Sequence, residues 1–153
     1  MRTPTSVLFA CDTNTVRSVI AEHLAKQRFG NALYFESVGV RAGDAADPFA
    51  VAVMAEVGAD LSHHKPKAFD QLSDTSFDWI VSLSPSAQHA AVELTRTMAC
   101  ELIFWPTFDA TAVRGSRDTI LAAFRGVRDA LGVRVTEAFG GLPPRATAPQ
   151  ESP

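Results

Sequence analysis

Residues 7–18 read VLFACDTNTVRS, and this stretch indicates how the chain folds. Its first four residues, Val7–Ala10, form an unbroken apolar run, which is typical of a parallel strand buried on both faces. Apolar residues then recur at helical spacing, so an amphipathic helix is predicted from about Thr15 to Gln27. The polar residues between the strand and the helix are therefore expected to form a tight loop.

The rest of the chain repeats this alternation of apolar strands and amphipathic helices. Further strands are predicted at Leu33–Val38, Trp79–Leu83 and Ala99–Phe104. One helix is predicted to start at Asp47-Pro48, with Phe49, Val53 and Val57 on its apolar face, and to end at Gly58. Two more are predicted to start at Ser84-Pro85 and at Ser116, and the last of these is long and runs to Phe139. Such alternation packs through right-handed crossovers into a parallel sheet. The predicted class is α/β, a doubly wound four-stranded parallel sheet with helices on both faces.

The composition limits the classes of function. A formal net charge of −3 gives the chain no general attraction for nucleic acid or for an anionic membrane, so any anion must be bound locally. Two cysteines are too few for a secreted disulfide framework and form no C-x-x-C pair for zinc. Because the sequence shows no signal-peptide pattern or membrane span, a cytoplasmic protein is expected. No cofactor is expected, and no metal site is expected either, since His63-His64 lack a third convergent partner in the sequence.

A single domain is expected for residues 1–139, since 153 residues fall in the usual one-domain range. The remaining segment, 140–153, is rich in proline, alanine and serine. This composition predicts a disordered tail.

The loop after the first strand has the spacing C-x5-R-S, from Cys11 to Ser18. Successive backbone N–H groups at a helix start form an anion-binding nest, and the helix dipole adds positive potential. The same potential favours a thiolate, so Cys11 is expected to be nucleophilic near neutral pH. Arg17 offers a two-pronged donor for the oxygens of a phosphate-like group. Asn14 suits a left-handed turn, and the Ser18 hydroxyl is placed to donate a hydrogen bond to the sulfur.

A thiolate that attacks a phosphate ester needs a proton donor for the leaving oxygen. Asp109 is the best candidate, because it lies in the loop after the last strand, at the same edge of the sheet as the anion loop. Its aromatic neighbours, among them Trp105, are expected to raise its pKa and keep it protonated. Asp12, Asp44 and Asp47 compete for this role, although Asp47 is placed to cap a helix.

From about Ser6 to Leu131 the chain resembles the low-molecular-weight protein tyrosine phosphatase family, which includes related arsenate reductases. The family motif C-x-G-N-x-x-R-S corresponds to CDTNTVRS at residues 11–18. Further matches occur in the same order along the chain: SVGV at 37–40, Asp47-Pro48, LSHHKPK at 61–67 and FDWIV at 77–81.

The resemblance implies roles for residues of this chain. Cys11 would be the nucleophile that forms a phosphocysteine, Arg17 would hold the phosphate, and Asp109 would act as general acid and then as general base. The phosphate-binding loop would also contain Asp12, Thr13, Asn14, Thr15, Val16 and Ser18. Ser37 and His64 would join Asn14 and Ser18 in a hydrogen-bond network that supports the loop.

Several residues depart from the family pattern. Thr13 replaces the usual glycine, which is expected to narrow the nest or tilt its amides. Val16 replaces a cysteine that protects the nucleophile in some members. Ala110 follows Asp109 where proline is usual, and the tyrosines and the tryptophan near the site are missing. Recognition of a phosphotyrosine ring therefore lacks its usual aromatic partners.

The sequence leaves more than one function open. The leading interpretation is a phosphatase that acts on a phosphorylated protein or a small phosphomonoester. The first alternative is a single-cysteine arsenate reductase that uses glutathione, glutaredoxin or another small thiol. Thioredoxin-coupled reduction would need two further cysteines, where this chain has Ser84 and Ala91, and Cys100 is predicted to be a buried core residue of the fourth strand. The second alternative is a non-catalytic oxyanion-binding module.

Overall fold

Four parallel strands form the central sheet of the computed structural model, which describes residues 4–73 and 76–141. The strands are β1 (Ser6–Cys11), β2 (Tyr34–Gly39), β3 (Trp79–Ser82) and β4 (Glu101–Phe104). Their order across the sheet is β2-β1-β3-β4, and every neighbouring pair is parallel. The helices are α1 (Arg17–Phe29), α2 (Pro48–Ala55), α3 (Pro85–Leu94) and α4 (Arg117–Phe139). The predicted doubly wound four-stranded parallel sheet is confirmed.

Helices on both faces of the sheet explain the unbroken apolar run in β1. Val7 and Phe9 belong to the core under α1, α2 and α4. Leu8 and Ala10 belong to the core under α3. Because successive residues of a strand point to opposite faces, a strand covered on both sides must be apolar throughout.

The strand order places the carboxyl end of β1 at a topological switch point. β2 pairs with β1 on one side, and β3 pairs with it on the other. The connections after β1 and β3 therefore leave in opposite directions, and a crevice opens between them. Cys11 is the last residue of β1, so it lies at the mouth of this crevice.

The start of α2 and the glycine that terminates it are as predicted, but one residue of its apolar face is not. Asp47 caps the first turn. The regular helix runs to Ala55, and the chain then closes in a Schellman turn with Gly58 at a φ of +84°. Val57 was expected on the apolar face and is instead 38% exposed, whereas Met54 is fully buried.

The last helix, α4, matches its prediction closely. Ser116 caps it by accepting a hydrogen bond from the Thr119 amide at 3.1 Å, and the helix ends at Phe139. Within the described ranges, no helix is both long and apolar enough to cross a bilayer. The predicted tail, 140–153, lies outside the described residues except for its first two glycines.

Cys100 differs from its prediction. It is half-buried and packs against the core under α3, because it precedes β4, the strand at the side of the sheet that has a neighbour on one side only. Burial raises the pKa of its thiol. Cys11 ends β1 at the carboxyl edge, so the two sulfurs lie at opposite edges of the parallel sheet.

Candidate active site

The loop that joins β1 to α1 turns sharply at Asn14. The φ of Asn14 is +60°, a left-handed conformation that asparagine tolerates better than most residues. Among the described residues, Asn14 is the one non-glycine residue with a positive φ. Thr13 therefore has a negative φ, which a residue with a side chain adopts without strain. Val16 is the residue before α1, and among the described residues no side chain there accepts a hydrogen bond from the amides of the first turn. Apart from the Ser18 amide, which donates to Cys11 Sγ, the amides of this turn are therefore left for a bound anion.

The sulfur of Cys11 is buried against donors from the start of α1. Sγ lies 2.9 Å from the Ser18 hydroxyl oxygen. The Ser18 backbone amide donates to the same sulfur at 3.4 Å. A thiolate at this position would accept both hydrogen bonds, and the positive end of the helix would add to their effect.

Asn14 fixes the direction of these hydrogen bonds. It is fully buried, and its amide nitrogen donates to Ser18 Oγ at 2.8 Å and to Ser37 Oγ at 2.9 Å. Because the Ser18 oxygen already accepts from Asn14, its own O–H is free to donate to the Cys11 sulfur. Asn14 thus links the nucleophile to β2, which holds Ser37.

A buried carboxylate, Glu22, continues the network and was not predicted. The Ser37 hydroxyl donates to Glu22 Oε1, and Lys26 Nζ lies 2.6 Å from Oε2. Glu22 is only 6% exposed. One pattern in the sequence points to it, since it follows Ser18 by four residues and so shares its face of α1.

His64 supports the same asparagine from the other side. Its Nε2 lies 3.1 Å from the Asn14 carbonyl oxygen and 3.0 Å from Oδ1, both of which are acceptors, so Nε2 carries the hydrogen. The Lys67 amide donates to Oδ1 at 3.1 Å. Burial, partly offset by the nearby charge of Glu22, lowers the pKa of His64 and keeps its ring neutral near pH 7. Every polar group of the Asn14 side chain is therefore satisfied.

Arg17 ties the anion loop to the loop after β4. Its side chain is buried, Nη1 donates to the Thr107 carbonyl at 3.1 Å, and Nη2 lies 3.2 Å from Asp12 Oδ2. The guanidinium has five N–H donors, so these two contacts leave others for a bound oxyanion.

A cleft of about 180 Å³ brings the predicted catalytic residues together. It is lined by Cys11, Asp12, Thr13, Thr15, Val16, Arg17, Arg41, Asp109 and Thr111. Asn14, Ser18, Ser37 and His64 do not line it and instead form the hydrogen-bond network that supports Cys11. Larger grooves of about 340 and 430 Å³ run along α4, and neither is lined by the cysteine or by Arg17.

Asp109 reaches the cleft in different surroundings from those expected. Trp105 is buried against the rings of Phe9 and Phe139, and Phe108 is 62% exposed. The Asp109 carboxylate instead accepts hydrogen bonds from the Thr111 amide at 3.0 Å and from its hydroxyl at 2.6 Å. Trp105, which was expected beside Asp109, therefore turns into the core instead.

The competing acids are placed differently. Asp47 accepts a hydrogen bond from the Phe49 amide at the start of α2, and Asp44 is exposed and does not line the cleft. Asp12 lines the cleft but is held by Arg17 and by the hydroxyls of Ser84 and Ser86 at the start of α3. In the described residues, no three His, Cys, Asp or Glu side chains are grouped so as to hold a metal ion.

Comparison with known proteins identifies the family. The family model described as "Low molecular weight phosphotyrosine protein phosphatase" matches residues 6–131. The chain belongs to this family. An arsenate reductase of Halalkalibacterium halodurans is 32% identical over 130 residues, which cover 84% of this chain and 91% of that protein.

Solved structures of low molecular weight phosphatase folds agree with this membership. A low molecular weight protein tyrosine phosphatase from T. tengcongensis has a TM-score of 0.75 over 90% of this chain and 99% of its own, at 22% identity, which shows a shared fold. An arsenate reductase in the phosphate binding state has a TM-score of 0.70 over 87% of this chain and 95% of its own, at 27% identity. Relatives with both names therefore share this architecture.

Thr13, the departure from the family motif, is accommodated at the surface of the loop. Its hydroxyl lies 2.8 Å from that of Thr15, and its carbonyl accepts from the Gly43 amide at 3.0 Å. These contacts hold the residue at the cleft wall, where its side chain takes up space that a glycine would leave open.

The family-like SVGV segment contains a glycine on which the anion loop rests, and Gly39→Ala should damage both stability and turnover. An added Cβ would lie 2.5 Å from the Arg41 carbonyl oxygen, 2.7 Å from Thr13 C and 2.8 Å from Asn14 N. Since these are backbone atoms, the loop must move, at a cost of about 1–3 kcal/mol. Urea unfolding and p-nitrophenyl phosphate hydrolysis measure the two effects.

Gly126→Ala is the matched control for this substitution. Gly126 lies inside α4, and a Cβ there meets nothing within 4 Å. Alanine should therefore stabilise the protein by about 0.5–1 kcal/mol and leave turnover unchanged. Equal effects of the two substitutions would contradict the close approach of Gly39 to the loop.

Proposed function

We propose that the protein is a cysteine-dependent phosphatase that hydrolyses a phosphomonoester through a phosphocysteine at Cys11. The observation that carries this proposal is that Cys11, Arg17 and Asp109 line one and the same cleft. A nucleophile, an oxyanion clamp and a proton donor are the groups that such a displacement requires. The remaining residues of the anion loop hold them in place through Asn14.

Two displacements account for the reaction. In the first, the Cys11 thiolate attacks phosphorus, the S–P bond forms, the ester P–O bond breaks, and Asp109 gives its proton to the leaving oxygen. In the second, the Asp109 carboxylate takes a proton from water, the resulting hydroxide attacks phosphorus, and the S–P bond breaks to regenerate the thiolate. Arg17 and the amides of α1 bind the oxygens of the phosphoryl group throughout.

The cleft favours a general phosphomonoester over a dedicated phosphotyrosine. No aromatic side chain is among the nine residues that line it in the described part of the chain. The exposed ring of Phe108 lies in the neighbouring loop. A phosphorylated protein and a small phosphomonoester are both included in the proposed substrate class, and phosphotyrosine is one member of it.

Arsenate reduction is the second candidate, favoured by the names of the relatives. Arsenate has the shape and charge of phosphate, so the same loop would bind it. The Cys11 thiolate would attack arsenic, forming an S–As bond while an As–O bond breaks and its oxygen leaves as water. A second thiol from glutathione, glutaredoxin or another small thiol would then attack the Cys11 sulfur, and the S–As bond would break with its electron pair going to arsenic. Arsenic would leave as arsenite, reduced by two electrons, while the two thiols would be oxidised to a mixed disulfide. The second thiol must come from outside, because Cys100 lies at the other edge of the sheet.

Replacing Asp109 by asparagine separates proton transfer from binding. Asp109→Asn should lower kcat for p-nitrophenyl phosphate by roughly 10²-fold to 10⁴-fold, because the leaving oxygen loses its proton donor. Vanadate should still bind, since Cys11 and Arg17 are intact. The matched control is Asp47→Asn, in which the new amide oxygen still caps α2.

The outcomes distinguish the candidate functions. A wild-type protein that hydrolyses no phosphomonoester but reduces arsenate with glutathione and glutaredoxin would replace the phosphatase proposal by the reductase. A protein with neither activity that still binds phosphate would be the oxyanion-binding module. A loss of turnover in Asp47→Asn but not in Asp109→Asn would show that Asp109 is not the general acid.

A further inference from the structure

Asp12 places a carboxylate at the rim of the anion loop, directly after the nucleophile. Its Oδ2 lies 3.2 Å from Arg17 Nη2. Its Oδ1 accepts hydrogen bonds from Ser84 Oγ at 2.7 Å and from Ser86 Oγ. The side chain therefore bridges the first loop, the buried arginine and the start of α3.

The bridge keeps Asp12 charged and fixed in place. Burial raises the pKa of Asp12, but the hydrogen bonds from Ser86 and Ser84 and the charge of Arg17 together outweigh burial and lower it. The side chain of Asp12 is 44% exposed, whereas that of Arg17 is 9% exposed. The carboxylate is thus the counter-ion of a buried cation, and two hydroxyls hold it against turning out into solvent.

A bound oxyanion meets this carboxylate as a like charge. The dianion of a phosphomonoester, or of inorganic phosphate, would bind to the same Arg17 that Asp12 already neutralises. Asp12 also lines the cleft with Cys11, so its charge adds to that of the thiolate. Like charges at such short range oppose each other, although partial exposure screens the effect.

We propose that Asp12 is a built-in counter-ion of Arg17 that weakens the binding of dianionic oxyanions in the Cys11 loop and so promotes release of inorganic phosphate. Asp12 acts as a positioning residue, since it works through Arg17. The part of this inference that concerns phosphate release during turnover rests on the proposed function. The effect on binding is independent of turnover.

Titration calorimetry of the full chain with inorganic phosphate, near neutral pH, tests the inference. Asp12→Asn keeps an oxygen that accepts from Ser84 and Ser86 but removes the charge. The variant should bind phosphate roughly threefold to tenfold more tightly than the wild type, because one partly screened like charge is gone. The difference should shrink as salt is added. In turnover, competitive inhibition by phosphate should strengthen by the same factor, with KM falling more than kcat changes.

Two further variants make the result decisive. Asp12→Ala should also tighten phosphate binding and serves if the asparagine variant folds poorly. Glu101→Gln removes one charge at the start of β4, on the opposite edge of the sheet, and should leave phosphate binding unchanged. Equal or weaker phosphate binding by both Asp12 variants would overturn the inference, as would an equal gain in Glu101→Gln.

The same experiment separates this inference from the proposed function. Tighter phosphate binding in the Asp12 variants, without p-nitrophenyl phosphate hydrolysis by any of the proteins, would support the counter-ion and overturn the phosphatase. Turnover by the wild type with unchanged phosphate binding in the Asp12 variants would support the phosphatase and overturn the counter-ion. Absence of phosphate binding by every protein would overturn both.

Discussion

Cys11→Ser should abolish hydrolysis of p-nitrophenyl phosphate, with a fall in kcat of at least about 10⁴-fold, because a serine hydroxyl in this loop has no base to activate it. The contacts of the sulfur with the Ser18 amide and hydroxyl suit a charged thiolate, and an alkoxide is far harder to form. Fold and anion binding should survive, since oxygen is smaller than sulfur and the loop is held by Asn14. Near-ultraviolet circular dichroism and vanadate binding check both points.

Cys100→Ser is the matched control for the nucleophile. Cys100 is half-buried at the amino edge of the sheet, so its replacement should leave turnover within about twofold and change stability only modestly. Acid quenching during turnover, followed by mass spectrometry, should find a phosphoryl group on Cys11 of the wild type. Retained hydrolysis in Cys11→Ser, or a phosphoryl group on another residue, would contradict the covalent mechanism.

The sequence predicts the fold well because its signals are local. The run Val7–Ala10 is apolar at every position since β1 is covered on both faces, and Asp47-Pro48 marks the start of α2 by its capping chemistry. The anion loop is equally local, because residues 11–18 contain the nucleophile, the left-handed turn and the clamp in one stretch. Such patterns need no knowledge of which distant segments meet.

The parts that sequence reasoning missed depend on distant contacts. Asp12 meets Ser84 across a separation of 72 residues, and Arg17 meets the Thr107 carbonyl across 90. Glu22 is a charged residue in a buried position, which hydrophobic periodicity alone assigns to the surface. Cys100 was predicted to be buried because cysteine usually is, yet it precedes the edge strand β4 and is only half-buried.

The geometry of Arg17 makes a sharper prediction than its charge alone. Arg17→Lys keeps a positive charge but loses the planar fork that reaches Thr107, Asp12 and a bound oxyanion together. We therefore expect kcat/KM for p-nitrophenyl phosphate to fall by about 10²-fold to 10³-fold, with Arg17→Ala at least as severe. Vanadate binding should weaken in parallel, because the lost contacts are those that hold the oxyanion.

Arg28→Lys is the matched control, since Arg28 is also held by two contacts, to the Gly132 carbonyl at 2.8 Å and to Thr136 Oγ1 at 2.9 Å, but between α1 and α4. It should lower the urea midpoint slightly and leave kcat/KM unchanged. An Arg17→Lys variant with near wild-type kcat/KM would show that charge alone suffices at this position. The hypothesis that Arg17 binds the phosphoryl group through two N–H donors would then be wrong, even if Cys11 proved to be the nucleophile. The two lysine variants thus distinguish two contributions to oxyanion binding by the anion loop. One comes from the planar shape of the guanidinium, and the other would come from any positive charge at the same position.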